Sequence, residues 1–559
     1  MLEKFESLDF EGLQVRRLDH LGVVAAFCRR IGLVESINMI IPGNMAVDLG
    51  TMTLAMVLDT LSGRSPLYRL SEFVEEVDVE SLLGGCYPAR VFNDTSLARA
   101  LDAIYEYGTE KLFSQLAFSI LRTLPLDMRH VHFDTTSVNV WGGYESHDGT
   151  GDAITITHGH SKDKRPDLKQ FMVKMLCVKR NIPIAGGCED GNASDKTLNK
   201  GLLAKINDHM TKYGLKPGAF VYIADSALIT PDNLSALGDN LFISRLPFSY
   251  AEADRVVSEA VREDAWIEVG ALAKTPETAN RPAARYKISE HRATIAGTAY
   301  RAVVAHSSAH DKRRLKKLNK RLANSLEEAV KTLKEESKIV YFCRPDAEAA
   351  VRRAEAEFEL HRLELRVEER VVYARGRPSK SGERKIARRE YLVAGDVLEK
   401  SEEVNRRREE SGCFVLLTNI PEKDEGAYTG REVLAAYKDQ HGIERNFSFL
   451  KDPLVVNDTF FKMPRRIEAL GFVLLTSLLV WNLMEDAMRE FIAKTNSLLP
   501  GWDNKLTSRP TSFMMSTKFR GMMAVRLGDA KKLAKSPSQT QIQYLKALGL
   551  SAEHIIGKR

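Results

Sequence analysis

The chain has 559 residues, 44% of them hydrophobic and 28% charged, with a formal net charge of +6 at pH 7. This hydrophobic share excludes a disordered or low-complexity chain, and the length suits about three or four domains of roughly 100–200 residues. The mildly basic balance admits a nucleic-acid partner without demanding one.

Residues 1–125 carry apolar positions at helical spacing, in Leu21–Leu33, Leu49–Leu61 and Leu97–Leu121. They are expected to form a helical N-terminal domain that binds DNA ends or dimerises. The opening MLEKFESLDFEG is polar and acidic, unlike a signal or transit peptide. The six cysteines, Cys28, Cys86, Cys177, Cys188, Cys343 and Cys413, show neither CxxC nor zinc-finger spacing. Buried thiols in a reducing compartment are expected.

From residue 126 the rhythm changes. His130-Val-His-Phe-Asp134 alternates like a strand ending at Asp134, and 170–178 and 182–186 read as further strands. Ser194 caps a helix running to Tyr213, and the apolar run Ala219–Ala224 reads as a buried strand ending at Asp225. Leu241–Ser244 follows as another strand. Strands mixed with helices over 126–248 predict an α/β core. Residues 249–410 are highly charged, with helical runs at 311–337 and 345–366, and read as an insertion domain. Cys413–Thr418 returns to an apolar strand, so 411–490 continues the core, and 491–559 is expected to be helical. The apolar stretch Ala469–Leu483 is shorter than the roughly 20 residues of a membrane span and holds Thr476, Ser477 and Asn482. It is expected to be a core helix, with no membrane partner and a cytoplasmic location.

Two features carry chemistry. Asp134 and Asp225 close two predicted strands, where functional groups of open α/β sheets collect, and hard divalent cations prefer such oxygens. Each can equally be an ordinary cap or turn residue. In the predicted helix 437–451, Tyr437, Glu444 and Lys451 are seven apart, 20° short of two turns, and Gln440 lies about 40° from that stripe. Such a face offers a metal acceptor flanked by phosphate-binding groups; it is also what a solvated amphipathic helix looks like.

The pattern Tyr437-x2-Gln440-x3-Glu444-x6-Lys451 resembles the Tyr-x2-Arg-x3-Glu-x6-Lys signature of the DDE transposases of bacterial insertion sequences, in the IS-four superfamily. Gln440 replaces its arginine. Gly159-His-Ser-Lys-Asp-Lys-Arg-Pro-Asp-Leu-Lys-Gln170 and Asn93–Asp102 look like the same group, and the resemblance runs from about residue 10 to about 550. It implies an RNase H-like core interrupted by an insertion, with Asp134 on the first strand, Asp225 at the fourth and Glu444 on a later helix. These three would be catalytic and hold two Mg²⁺ or Mn²⁺ ions, while Tyr437, Gln440 and Lys451 would grip phosphate. The implied partners are double-stranded DNA, as terminal inverted repeats and target, and a second copy in a synaptic dimer within the nucleoid. A catalytically inactive, transposase-derived DNA-binding protein is the alternative.

Further DNA contacts are expected from Lys162 and Arg165, set against a loop salt-bridged to Asp163 or Asp167. They are also expected from Arg375-Gly-Arg377-Pro, which matches a minor-groove hook, set against a solvated loop. Lys312–Arg321 reads as a solvated amphipathic helix able to touch DNA. Trp266 is a candidate to hold an unstacked base, or a packed tryptophan. His132 shares strand parity with Asp134 and is a candidate orienting residue.

Overall fold

The structure is a computed structural model. It describes all residues except 1–11, 44, 64–68, 123, 125, 142–143, 145–152, 217, 273–281, 310–311, 355–357, 377–383, 424–425, 452–462, 529 and 558–559. The chain forms two compact units: Met1–Ser244 with Ala436–Arg559, and Arg245–Ala435.

The N-terminal stretch opens with a strand, β1 (Gln14–Arg17), then helices α1 (Leu21–Arg30), α2 (Leu33–Ile40), α3 (Leu49–Ser62), α4 (Leu70–Glu76), α5 (Val79–Leu83), α6 (Asp94–Tyr107) and α7 (Thr109–Leu121). The all-helical expectation thus misses β1. Gln-Val-Arg-Arg is too short and polar to announce a strand, and it exists because it pairs with a strand 500 residues away. Local caps follow the sequence: the Asp48 and Asn93 side chains accept from Thr51 and Ser96 N–H.

Next come β2 (His130–Val140), β3 (Lys169–Val178), β4 (Ile182–Glu189), α8 (Asp195–Lys212), β5 (Val221–Ala224), α9 (Pro231–Leu237) and β6 (Leu241–Leu246). They form a mixed sheet ordered β4-β3-β2-β5-β6. β2 and β4 run antiparallel to β3, whereas β2, β5 and β6 are mutually parallel. Helices cover both faces. Tyr222 of β5 reaches Asn199 of α8 on one side, and a Cβ added at Gly186 of β4 would lie 3.2 Å from Leu475 on the other. β2 does not stop at Asp134: Thr135–Val140 adds six strand residues, paired as far as Val140 with Lys169. β-branched Thr135, Thr136, Val138 and Val140 prolong it, so Asp134 sits mid-strand.

The second unit comprises α10 (Ala251–Glu263), β7 (Ile267–Ala271), β8 (Arg285–Ile295), β9 (Thr298–Ser307), α11 (Lys312–Glu336), α12 (Arg344–Ala354), β10 (His361–Tyr373), β11 (Ile386–Glu399), α13 (Ser401–Ser411) and β12 (Cys413–Thr418). β12-β9-β8-β7 is antiparallel, and β10-β11 is a separate hairpin. The helix predicted to reach Arg366 ends at Ala354; His361–Tyr373 instead becomes β10, with Leu363, Leu365, Val367 and Val371 alternating as a strand demands. Leu318 of α11 packs with Leu360 and Val404, while Lys316, Lys317 and Lys320 face solvent.

The chain continues through α14 (Gly430–Asp439), α15 (His441–Leu450), α16 (Pro464–Thr495), β13 (Leu499–Pro500), β14 (Leu506–Thr507), α17 (Ser512–Lys518), β15 (Met523–Leu527), β16 (Ala530–Leu533), α18 (Gln539–Ala547) and α19 (Ala552–Ile555). The C-terminal region is therefore not purely helical, and β15 is the strand that pairs with β1. Among the described residues α16 alone has the length and composition to cross a membrane, and 83% of its apolar window is buried within the fold. It is a central helix longer than the predicted 469–483 core. Cys28, Cys177, Cys188 and Cys413 are buried, as expected, but Cys86 and Cys343 are exposed.

Candidate functional site

The site begins with Asp134. Its register partner is Met175 and that of His132 is Cys177, so all four side chains share one face of the sheet. Helix α15 covers that face. The Asn446 amide touches the sulfurs of Met175 (3.5 Å) and Cys177 (3.6 Å) and donates to Asn181 carbonyl at 2.8 Å. Asn482 of α16 donates both to Asn181 carbonyl and to Asn446 Oδ1, at 2.9 and 3.0 Å. Gly442 permits this docking, since a Cβ there would fall 1.8 Å from Asn181 Nδ2.

Asp225 follows β5 directly and caps the next turn, its Oδ1 accepting from Ala227 N–H at 3.0 Å. Its carbonyl accepts from the Ser244 hydroxyl on β6 at 2.7 Å. Asp134 Oδ1 accepts from the N–H of Thr135 at 2.7 Å. Burial raises the Asp134 carboxyl to about 7, with the negative charges of Asp225 and Asp195 adding to the rise and Lys162 opposing it. Burial also raises Asp225, and Asp195 adds to it.

Lys162 supplies the positive charge. Its ammonium lies 3.9 Å from Asp134 Oδ1 and 3.2 Å from Asp195 Oδ2. It donates to both the carbonyl and the Oγ1 of Thr135 at 2.7 Å, and Thr135 Oγ1 in turn donates to Asp195. The loop carrying Lys162 is clamped at its base: a Cβ on Gly159 would come within 2.1 Å of Gly191 carbonyl. Lys162 thus contacts the carboxylates, not the Asp163 or Asp167 that loop salt bridges would have used.

The other predicted residues are distributed as follows. The single helix expected over 437–451 is broken. Gln440 stays right-handed (φ −57°, ψ −27°), but Gln440 N–H bonds to Tyr437 carbonyl and Ile443 N–H to Gln440 carbonyl, both three residues back. These tight turns fall where Gly442 weakens the helix. The one-face argument survives for Glu444 and Lys451 but not for Tyr437. Tyr437 and Gln440 are half-buried and Glu444 is exposed. Glu444 lies about 200° around α15 from the sheet-facing Asn446. Lys451, on the side of Glu444, holds Asp163 with Nζ 2.7 and 2.8 Å from its two oxygens. Arg165 pairs with Asp167 at 2.7 Å and lies over the Trp141 ring. Trp266 packs edge-on against His306 with Lys287 over its face, and is half-buried. Arg375 is exposed just beyond β10; Arg377 lies outside the described residues.

Among the described residues no three His, Cys, Asp or Glu side chains are gathered as a metal cage. The donor chemistry nevertheless fits a hard cation: two coupled carboxylates, Asp134 and Asp225, with Asp195 adjacent in charge. Sequence reasoning missed Asp195 and Thr135. Asp195 carries a legible signal, an acidic first-turn residue following β4, but it reads first as helix-dipole complementarity. Asn181, Asn446 and Asn482, which seat α15, had no sequence signal.

The model of a domain of unknown function (DUF4277) matches residues 13–118, the span from β1 into α7. No curated protein matches the chain.

Proposed function

We propose that this chain is a DDE-type DNA transposase that cleaves transposon ends and joins them to target DNA. The observation that carries the reading is the placement of Asp134 on β2 and of Asp225 directly after β5, the parallel neighbour of β2. Counted from β2, Asp134 is on the first strand of the mixed sheet and Asp225 directly follows the fourth. An RNase H-like core with the resemblance noted above asks for its first two acids at those places. The matched N-terminal domain, commonly found in transposase-like proteins, agrees.

On this reading Asp134 and Asp225 would hold Mg²⁺ or Mn²⁺; Glu444, the third acid that the resemblance implies, is exposed on α15 and is not gathered with them in this structure. A bound divalent cation there supplies Lewis-acid polarisation of the phosphodiester and an acidified water. The chain's own groups do the rest. Thr135 and Ala227 N–H groups fix the two aspartates, Lys451 offers an ammonium to phosphate in place of Asp163, and Tyr437 and Gln440 add hydrogen bonds. Double-stranded DNA ends, target DNA and a second copy of the chain are the proposed partners.

The test is incubation of the purified protein with supercoiled plasmid carrying the gene's flanking DNA and Mg²⁺ or Mn²⁺. Nicked or linear product is expected, lost at least a hundredfold in Asp134→Asn, Asp225→Asn and Glu444→Gln, with duplex binding retained. Cleavage unchanged in these variants refutes the assignment. The second reading, a catalytically silent DNA-binding derivative, is favoured by Gln440 replacing the signature arginine and by the exposure of Glu444; it predicts DNA binding without cleavage.

A further inference from the structure

Lys162 is held at the carboxylates by more than a long side chain. Its backbone N–H donates to Ser137 Oγ on β2 at 3.0 Å, and Arg165 N–H closes the turn on Ser161 Oγ at 3.1 Å. An ammonium has three donors and no acceptor. All three are engaged: two by Thr135 and one directed at Asp195, with Asp134 just beyond. The adjacent residue, Asp163, grips Lys451 at the end of α15. One short loop therefore connects the cation among the carboxylates with the helix that bears Glu444.

An ammonium and a hard divalent ion seek the same carboxylate oxygens, and two cations on one set of oxygens repel. We propose, resting on the reading above, that Lys162 is a tethered counter-cation which competes with the divalent ion. Ion binding at Asp134 expels the Lys162 side chain and frees it for a DNA phosphate. Metal occupancy and DNA grip are then coupled through one residue, which acts as a positioning residue and not a catalytic one.

Two measurements with Mn²⁺ alone, in the full-length protein, test this. By titration calorimetry, Lys162→Met binds Mn²⁺ roughly tenfold more tightly than wild type, while Lys162→Arg stays near wild type. The second needs no variant. Pulsed acetylation read by mass spectrometry should label Lys162 several-fold faster when saturating Mn²⁺ is added, with Lys200 unchanged. Wild-type Mn²⁺ binding combined with an unaltered or weaker affinity in Lys162→Met, or with unaltered Lys162 labelling, overturns the counter-cation and leaves the transposase reading standing. No Mn²⁺ binding by wild type or by Lys162→Met overturns both.

Discussion

Replacing Asp134 by asparagine keeps the shape of the side chain and removes its charge. The folded carboxyl is raised from 3.8 to about 7, first by burial and then by Asp225 and Asp195. Between those values the folded chain keeps a proton that the unfolded chain has released. The contribution of this group to stability is therefore fully present below pH 3.8 and is lost as pH rises through about 7. At 1.36 kcal/mol per pH unit the interval corresponds to about 4 kcal/mol at most. Residual exposure and the lost attraction to Lys162 reduce it, so about 2–4 kcal/mol is expected at pH 8. Asp134→Asn should then melt higher than wild type at pH 8, by up to roughly 8 °C at about 2 °C per kcal/mol. The gap should shrink steadily towards pH 4.5. Scanning calorimetry at four pH values measures it. Mn²⁺ adds a second arm: at about 100 times its dissociation constant it should stabilise wild type by about 2.7 kcal/mol and leave the variant unmoved. An asparagine variant no more stable at pH 8, or a gap independent of pH, would refute the account of Asp134.

Asn446→Ala should destabilise by about 1–3 kcal/mol, because Asn181 carbonyl and the Asn482 amide each lose a partner; chemical denaturation reads this, and an unchanged midpoint argues against the amide cluster seating α15. Gly159→Ala places a methyl against Gly191 carbonyl and should cost about 1–3 kcal/mol. It should also raise proteolytic cutting within the 159–165 loop, whereas a silent substitution would mean the loop base is not clamped. Lys451→Ala should weaken duplex-DNA binding and lower the steepness of its salt dependence by about one. An unaltered slope would remove Lys451 from the DNA contacts.

How much of this was legible depended on distance along the chain. The apolar runs at 170–178, 219–224 and 413–418 announced β3, β5 and β12 because burial on both faces leaves no polar alternation to misread. Ser194 was found as a cap because its bond, to Thr197 N–H, is local. The failures were non-local. β1 is a strand only because Met523–Leu527 lies beside it, and His361–Arg366 left the helix predicted for it once β11 offered a ladder. At the site, Asp134 and Asp225 were found from their neighbours in sequence. Asp195 was not, since its link to them runs through Lys162 and Thr135, tens of residues away. The break at Gln440 was hidden because the 3.6-residue period continues nearly unbroken through a tight turn, and the glycine responsible is answered by Asn181 across the fold.

The charge balance of the site explains why its acids tolerate one another. Asp134, Asp195 and Asp225 together would carry three negative charges, with Lys162 as the cation set against them. Full ionisation leaves two charges uncompensated; Asp134 is raised to about 7 first by burial, and the charges of Asp225 and Asp195 add to that rise. A divalent cation would neutralise the same excess. A structural cluster evolved only for stability would be expected to match its acids with arginines, as Asp102 is matched by Arg465 and Arg466 on α16. Here the imbalance is kept, half-buried, on a strand pair, and its magnitude is that of one doubly charged ion. The pH dependence of Mn²⁺ affinity therefore discriminates between the two uses. If the ion replaces the proton on Asp134, affinity should rise about tenfold per pH unit below pH 7 and level off above it. An affinity flat across pH 5–8 would mean that the ion, if bound, sits elsewhere.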